Sequence, residues 1–182
     1  MQDQKKNKLN KDILNIIRTT MRNNIELTHI ADNKANVLLS LNALMLTFLF
    51  PLVLPYFEVI KELHLHYPIA ILTISCFTTI YISALVLKPG KFYANRARLS
   101  EGRTISPFFF GNFYKMDREE FQVYIDKEVA HPQLVQGHVV DDLHYIGKRL
   151  AEKMSLLRIA FNIFLIGLFS SLLLSGILIF TH

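Results

Sequence analysis

Cysteine is nearly missing from this sequence: the single Cys76 among 182 residues rules out an internal disulfide. Lying inside an apolar run, it reads as a small buried hydrophobe rather than a redox centre. Charge is sparse as well, with 19% Asp, Glu, Lys and Arg against 51% hydrophobic residues. Three runs lack charge altogether, at 37–57, 68–87 and 159–180. Each is close to the roughly 20 residues a helix needs to cross a hydrocarbon layer of about 30 Å. That profile belongs to an integral membrane protein. The polar first thirty-odd residues and the length of the first run do not fit a cleaved signal peptide. There is no internal repeat and no low-complexity tract.

The charges that are present fall in a pattern. Seven Lys and Arg precede the first run: Lys5, Lys6, Lys8, Lys11, Arg18, Arg22 and Lys34. The 58–67 loop has only Lys61, the 88–158 segment has twelve, and the 181–182 tail has none. The positive-inside rule reads this alternation as a multi-pass membrane protein with the N-terminus and the 88–158 segment cytoplasmic and the C-terminus outside. The net charge of +5 is then explained by orientation and by attraction to anionic lipid, and no nucleic-acid partner is expected.

Along the chain, 1–36 forms a polar tail and then a helix whose apolar face is Ile13, Ile16, Ile17, Met21 and Ile25. No Gly or Pro occurs before Pro51, so one helix is expected to run from the cytoplasm into the first span. At its membrane edge stands Ala31-Asp32-Asn33-Lys34-Ala35-Asn36. This is either an interfacial collar with Lys34 snorkelling to lipid phosphates, or a site where Asp32 faces inward to a partner. Within the spans, Asn42 and Asn162 are expected to face protein, and each other is one candidate partner. Small residues recur every four positions, as Ser75, Thr79 and Ser83 and again as Gly167, Ser171 and Ser175. That spacing stacks them on one face, giving packing seams between spans or between subunits.

Lys88-Pro89-Gly90 stops the second span. A basic stretch with Lys91, Arg96, Arg98 and Arg103 follows, and then the aromatic run Phe108-Phe109-Phe110-Gly111-Asn112-Phe113-Tyr114. Asp117-Arg118-Glu119-Glu120 opens a short helix near 117–130, and a last helix is expected from about His138 into the third span. Its stripe of Val139, Leu143, Ile146, Leu150, Met154 and Leu157 can pack on the N-terminal helix. The fold class is therefore an all-α integral membrane protein. Three transmembrane helices are joined to a cytoplasmic helical bundle, made by extensions of the first and third spans plus the short helix.

No catalytic signature is present: no Gly-rich phosphate loop, no Ser–His–acid motif and no Cys–His zinc spacing. His64 and His66 read as a solvated turn. His138, Asp141, Asp142 and His144 read as a solvated helix start, because residues six apart point to different sides. Neither enzyme activity nor a bound metal or cofactor is expected. A basic, aromatic cytoplasmic unit does suit a planar anion, since Arg and Lys neutralise phosphate while aromatics stack on a base. From the residues alone, a constitutive small channel or transporter subunit and a non-conducting anchor for a cytoplasmic partner also fit.

Several motifs in order sharpen this. Ala31-Asp32-Asn33-Lys34-Ala35, Lys88-Pro89, Pro107-Phe108-Phe109-Phe110-Gly111, Asp117-Arg118-Glu119-Glu120-Phe121, Asp142-Leu143-His144-Tyr145-Ile146 and Lys153 together resemble the Pycsar effector family of bacterial transmembrane proteins. The likeness covers roughly residues 20–175. Met154 departs from it, standing where an aromatic is expected after the lysine. The resemblance implies an antiphage effector activated by cyclic CMP or cyclic UMP from a partner pyrimidine cyclase. Impairment of the inner membrane would then cause abortive infection. It implies a cytoplasmic polar site formed or bordered by Asp32, Lys34, Arg96, Asn112, Asp142, Lys148 and Lys153, with Phe110 walling it. A homo-oligomer in the bilayer is expected.

Overall fold

Helix α1 (Gln2–Val53) is the longest element of the computed structural model, which describes residues 2–89, 113 and 116–181. Its length follows from what its sequence omits, since nothing before Pro51 breaks the backbone ladder. It passes through Pro51 and stops at Val53, where a turn over 54–56 begins short of the apolar run's last residue. A short α2 (Phe57–Glu62), none of whose residues is buried, and a turn with His64 at φ 55° lead into α3 (His66–Leu87). Two further helices follow, α4 (Arg118–Val129) and α5 (Pro132–Thr181).

Helix α5 starts six residues before the His138 expected from sequence. Pro132, which lies between the two expected helices, is the first residue of this one. Proline suits that position because the first-turn N–H groups have no intrahelical acceptor and its fixed φ is already helical. No strand occurs among the described residues, and α1, α3 and α5 are each long and apolar enough to cross a membrane. The 22 residues of α3 span about 33 Å at 1.5 Å per residue.

The chain divides into two compact units. One comprises 1–27 and 89–150. In it Ile17 and His138 are buried, the Phe113 and Phe121 rings lie 4.8 Å apart, and a side chain at Gly147 would stand 4.0 Å from Asn24 Nδ2. Helices α1 and α5 are thus close neighbours there. The covered face of α1 differs from the expected one, for Ile16 and Ile25 are exposed. Within 12–27 the positions withdrawn from solvent are Ile13, Ile17, Thr20, Met21 and Asn24. Three of the five expected residues are among them, and polar Thr20 and Asn24 complete the face in place of Ile16 and Ile25.

The other unit comprises 28–88 and 151–182. Helices α1 and α5 run the same way in it and α3 runs against both. Thr79 Oγ1 lies 3.5 Å from the Ala160 carbonyl, and Ser171 Oγ donates to the Pro68 carbonyl at 2.9 Å. Ala35, Leu38, Val86, Leu157, Ala160 and Phe164 form its core. Outside, Leu44, Phe48, Ile74, Phe77 and Phe161 are exposed, whereas Asn42, Ser75, Thr79, Ser83 and Ser171 are buried. Polar groups inside and apolar side chains outside is the arrangement that hydrocarbon selects.

Candidate functional site

The first helical turns of this second unit carry the acid that sequence left between two readings. Asp32 is flanked on α1 by Ala31 and Ala35, both fully buried. Side chains this small let a neighbouring helix approach closely, and α5 brings Lys153 one turn before the buried Leu157. Lys153 Nζ donates to Asp32 Oδ1 at 2.5 Å. The two side chains are 22% and 35% exposed, so the pair sits partly screened at the boundary of the apolar core. A charge-assisted bond in such a place is worth more than a fully solvated pair, on the order of 1.5–3 kcal/mol. It joins the helix that enters the unit first to the helix that leaves it last.

The other residues expected at the site are distributed differently. Lys34 is exposed, two residues and about 200° from Asp32 around α1. Asp142 is half-buried and Lys148 exposed on the part of α5 that belongs to the first unit. Arg96, Phe110 and Asn112 lie outside the described residues, as do Lys91 and Arg103. Asp32 and Lys153 are expected site residues that the structure brings into contact. A lysine ammonium has three N–H donors and spends one on Asp32, so Lys153 retains capacity for a further anionic oxygen.

Beyond the ion pair the expected packing residues separate into two groups. Ser75, Thr79, Ser83, Asn42, Gly167 and Ser171 are buried, and Ser175 is half-buried. Asn162 is exposed and does not meet Asn42. The inner stripe of α5 is Leu157, Ala160, Phe164, Gly167 and Ser171, and Asn162 falls about 200° from Ala160. Asn42 instead donates from Nδ2 to the Leu38 carbonyl at 2.8 Å. Its Oδ1 and the hydroxyl of Ser83 have no hydrogen-bond partner among the described residues. Gly167 and Ser75 approach closely, and a methyl group at position 167 would overlap the Ser75 side chain. Sequence placed these two residues in separate stripes and held no signal that they meet.

Three membrane-length helices, an apolar exterior and a clasped polar edge agree with one further finding. The Pycsar effector protein domain matches residues 15–182. The chain belongs to the Pycsar effector family. No curated protein and no solved structure matches it. As a Pycsar effector it is a multi-pass membrane protein serving the Pycsar antiphage system. The match takes in α1 from residue 15 onward and all of α5, so both ends of the Asp32–Lys153 pair lie within the family domain.

Proposed function

We propose that this Pycsar effector is a non-enzymatic switch that binds a cyclic pyrimidine mononucleotide, cyclic CMP or cyclic UMP, and then impairs the bacterial inner membrane. A partner pyrimidine cyclase supplies the nucleotide during phage infection, and the infected cell stops growing before phage can spread. The N-terminus and the 88–158 segment face the cytoplasm and the C-terminus faces outward, consistent with the twelve Lys and Arg of that segment. The effector acts as a homo-oligomer.

The observation that carries the reading is the Asp32–Lys153 bond between α1 and α5 at the edge of the apolar core. The cyclic phosphodiester of such a nucleotide carries one negative charge, as the Asp32 carboxylate does, and competes for the same ammonium. Once Lys153 turns to phosphate, the resting bond between the two helices is lost and a second arrangement becomes competitive. Ligand shifts such an equilibrium only by binding one arrangement more tightly than the other. By the family resemblance, Lys34, Arg96 and Lys148 are further candidates for binding the phosphate, Asp142 and Asn112 for hydrogen bonding and Phe110 for stacking on the pyrimidine.

Equilibrium binding to purified protein in lipid nanodiscs tests the assignment. Wild type is expected to bind cyclic CMP or cyclic UMP in preference to cyclic AMP and cyclic GMP. Lys153→Ala is expected to weaken binding at least tenfold. Equal binding by wild type and Lys153→Ala would remove Lys153 from the site, and no binding of any cyclic pyrimidine would remove the proposed ligand.

A further inference from the structure

Helix α5 has two seams on opposite faces, and among the described residues only one of them is packed on. The inner seam, 157, 160, 164, 167 and 171, advances in steps of three and four and is buried against α1 and α3. A second series advances in the same steps on the outside: Ile159, Asn162, Ile166, Phe169, Leu173 and Gly176. Ile166, Phe169 and Leu173 are 69%, 60% and 68% exposed. Apolar side chains alone would be explained by lipid. Two features of this series are not.

The first is Asn162, exposed about one helical turn inside Arg158 and without a side-chain partner among the described residues. An amide facing hydrocarbon has both donor and acceptor capacity unfilled, which makes intramembrane asparagines strong drivers of helix association. The second is Gly176, at the same register two heptads on, where an added Cβ would meet nothing within 4 Å. It leaves a shallow, open apolar groove between Phe169, Leu173 and Phe180.

We propose that this outer seam of α5 is the surface on which a second copy of the chain docks, helix against helix in parallel. Membrane orientation places identical residues of two copies at the same depth, so Asn162 meets the Asn162 of the second copy. An asparagine side chain complements itself, since one amide N–H₂ donates to the other's carbonyl oxygen. A sustained three–four apolar repeat with one asparagine is also the pattern that fixes register between paired helices. The Gly176 groove accepts a bulky side chain from the opposing helix. This deepens the self-assembly proposed above, but it concerns the resting protein and its test requires neither nucleotide nor leakage.

Cysteine cross-linking in membrane vesicles reads the seam directly. In a Cys76→Ala background, single substitutions Asn162→Cys, Ile166→Cys, Phe169→Cys and Leu173→Cys are oxidised with copper phenanthroline, with Phe161→Cys and Leu44→Cys as exposed controls off the seam. Dimer yield is expected to be at least fivefold higher on the seam than at the controls. Asn162→Leu added to Ile166→Cys is expected to lower that yield severalfold, and Asn162→Gln to preserve it. Equal yields at all exposed positions, a maximum at Leu44, or no effect of Asn162→Leu would overturn the proposal. Failure of nucleotide binding would leave these yields untouched, so the two readings fail separately.

Discussion

Gly167 of α5 and Ser75 of α3 share a space that holds only one side chain. Serine supplies it from α3 and glycine leaves it open from α5, which fixes the lateral separation of the two helices. Ser171 and Pro68 add a 2.9 Å hydrogen bond one turn away, which fixes their register. Together these contacts tie α3 to α5 at two levels of the membrane unit.

Gly167→Ala is expected to push the two helices apart. Alanine's helix propensity favours the variant by about 1 kcal/mol, while overpacking costs about 1–3 kcal/mol. Overlap wins because the atoms in the way are the Cβ and Oγ of Ser75 and not the end of a flexible chain. Denaturation in mixed micelles should show the loss, and Ser75→Gly in the same chain should recover at least half of it.

Reversing the ion pair separates its structural part from its ligand-binding part. Asp32→Lys alone places two ammonium groups together and Lys153→Asp alone places two carboxylates together, each destabilising by about 1.5–3 kcal/mol. The double variant restores attraction and is expected to regain most of the stability. It moves the cation to α1, so its response to cyclic nucleotide should remain depressed tenfold or more. Full recovery of both properties would show that only the pairing matters.

Asn42→Leu should separate stability from function. Asn42 is completely buried and its Oδ1 has no partner among the described residues, a penalty in an interior without water. Leucine removes that acceptor at similar volume, so the variant is expected to be unchanged or about 1 kcal/mol more stable. Under the proposed switch, this amide gains a partner in the activated arrangement. Dye release by Asn42→Leu should fall severalfold although the protein is at least as stable.

Ser171→Ala should have a small effect. Interhelical hydrogen bonds in membranes average about 0.6 kcal/mol, because the separated helices also find partners. Micelle denaturation should register a shift of that order, well below the effect of Gly167→Ala.

Much of this architecture is legible in the residues themselves. Three uncharged runs specify three spans, and four-residue spacing of Ser75, Thr79 and Ser83 identifies the inner face of α3, which is buried as expected. Phase on the other helices is harder to read. Where a helix is apolar on every side, hydrophobic periodicity carries little information about which side faces protein. Hence Asn162 faces away from Asn42. Before the first span the difficulty is different: isoleucines stand on more than one side of α1, and Ile16 and Ile25 are exposed while Asn24 is withdrawn. Long-range partners lie beyond sequence reading for a related reason. Nothing near Asp32 specifies Lys153, which is 121 residues away, or tells Gly167 that it will meet Ser75. The beginning of α5 was misplaced because Pro132 fits a helix start as well as a helix stop.

Nucleotide-dependent leakage tests the central proposal most directly. Purified effector reconstituted into liposomes loaded with a self-quenching dye is exposed to cyclic CMP, cyclic UMP, cyclic AMP, cyclic GMP and cyclic dinucleotides. Rapid release is expected only with a cyclic pyrimidine mononucleotide, and Lys153→Ala should require at least tenfold more of it. Release of equal rate without nucleotide would contradict the switch and establish a constitutive channel. No release with any nucleotide would contradict membrane impairment and leave an anchor for a cytoplasmic partner.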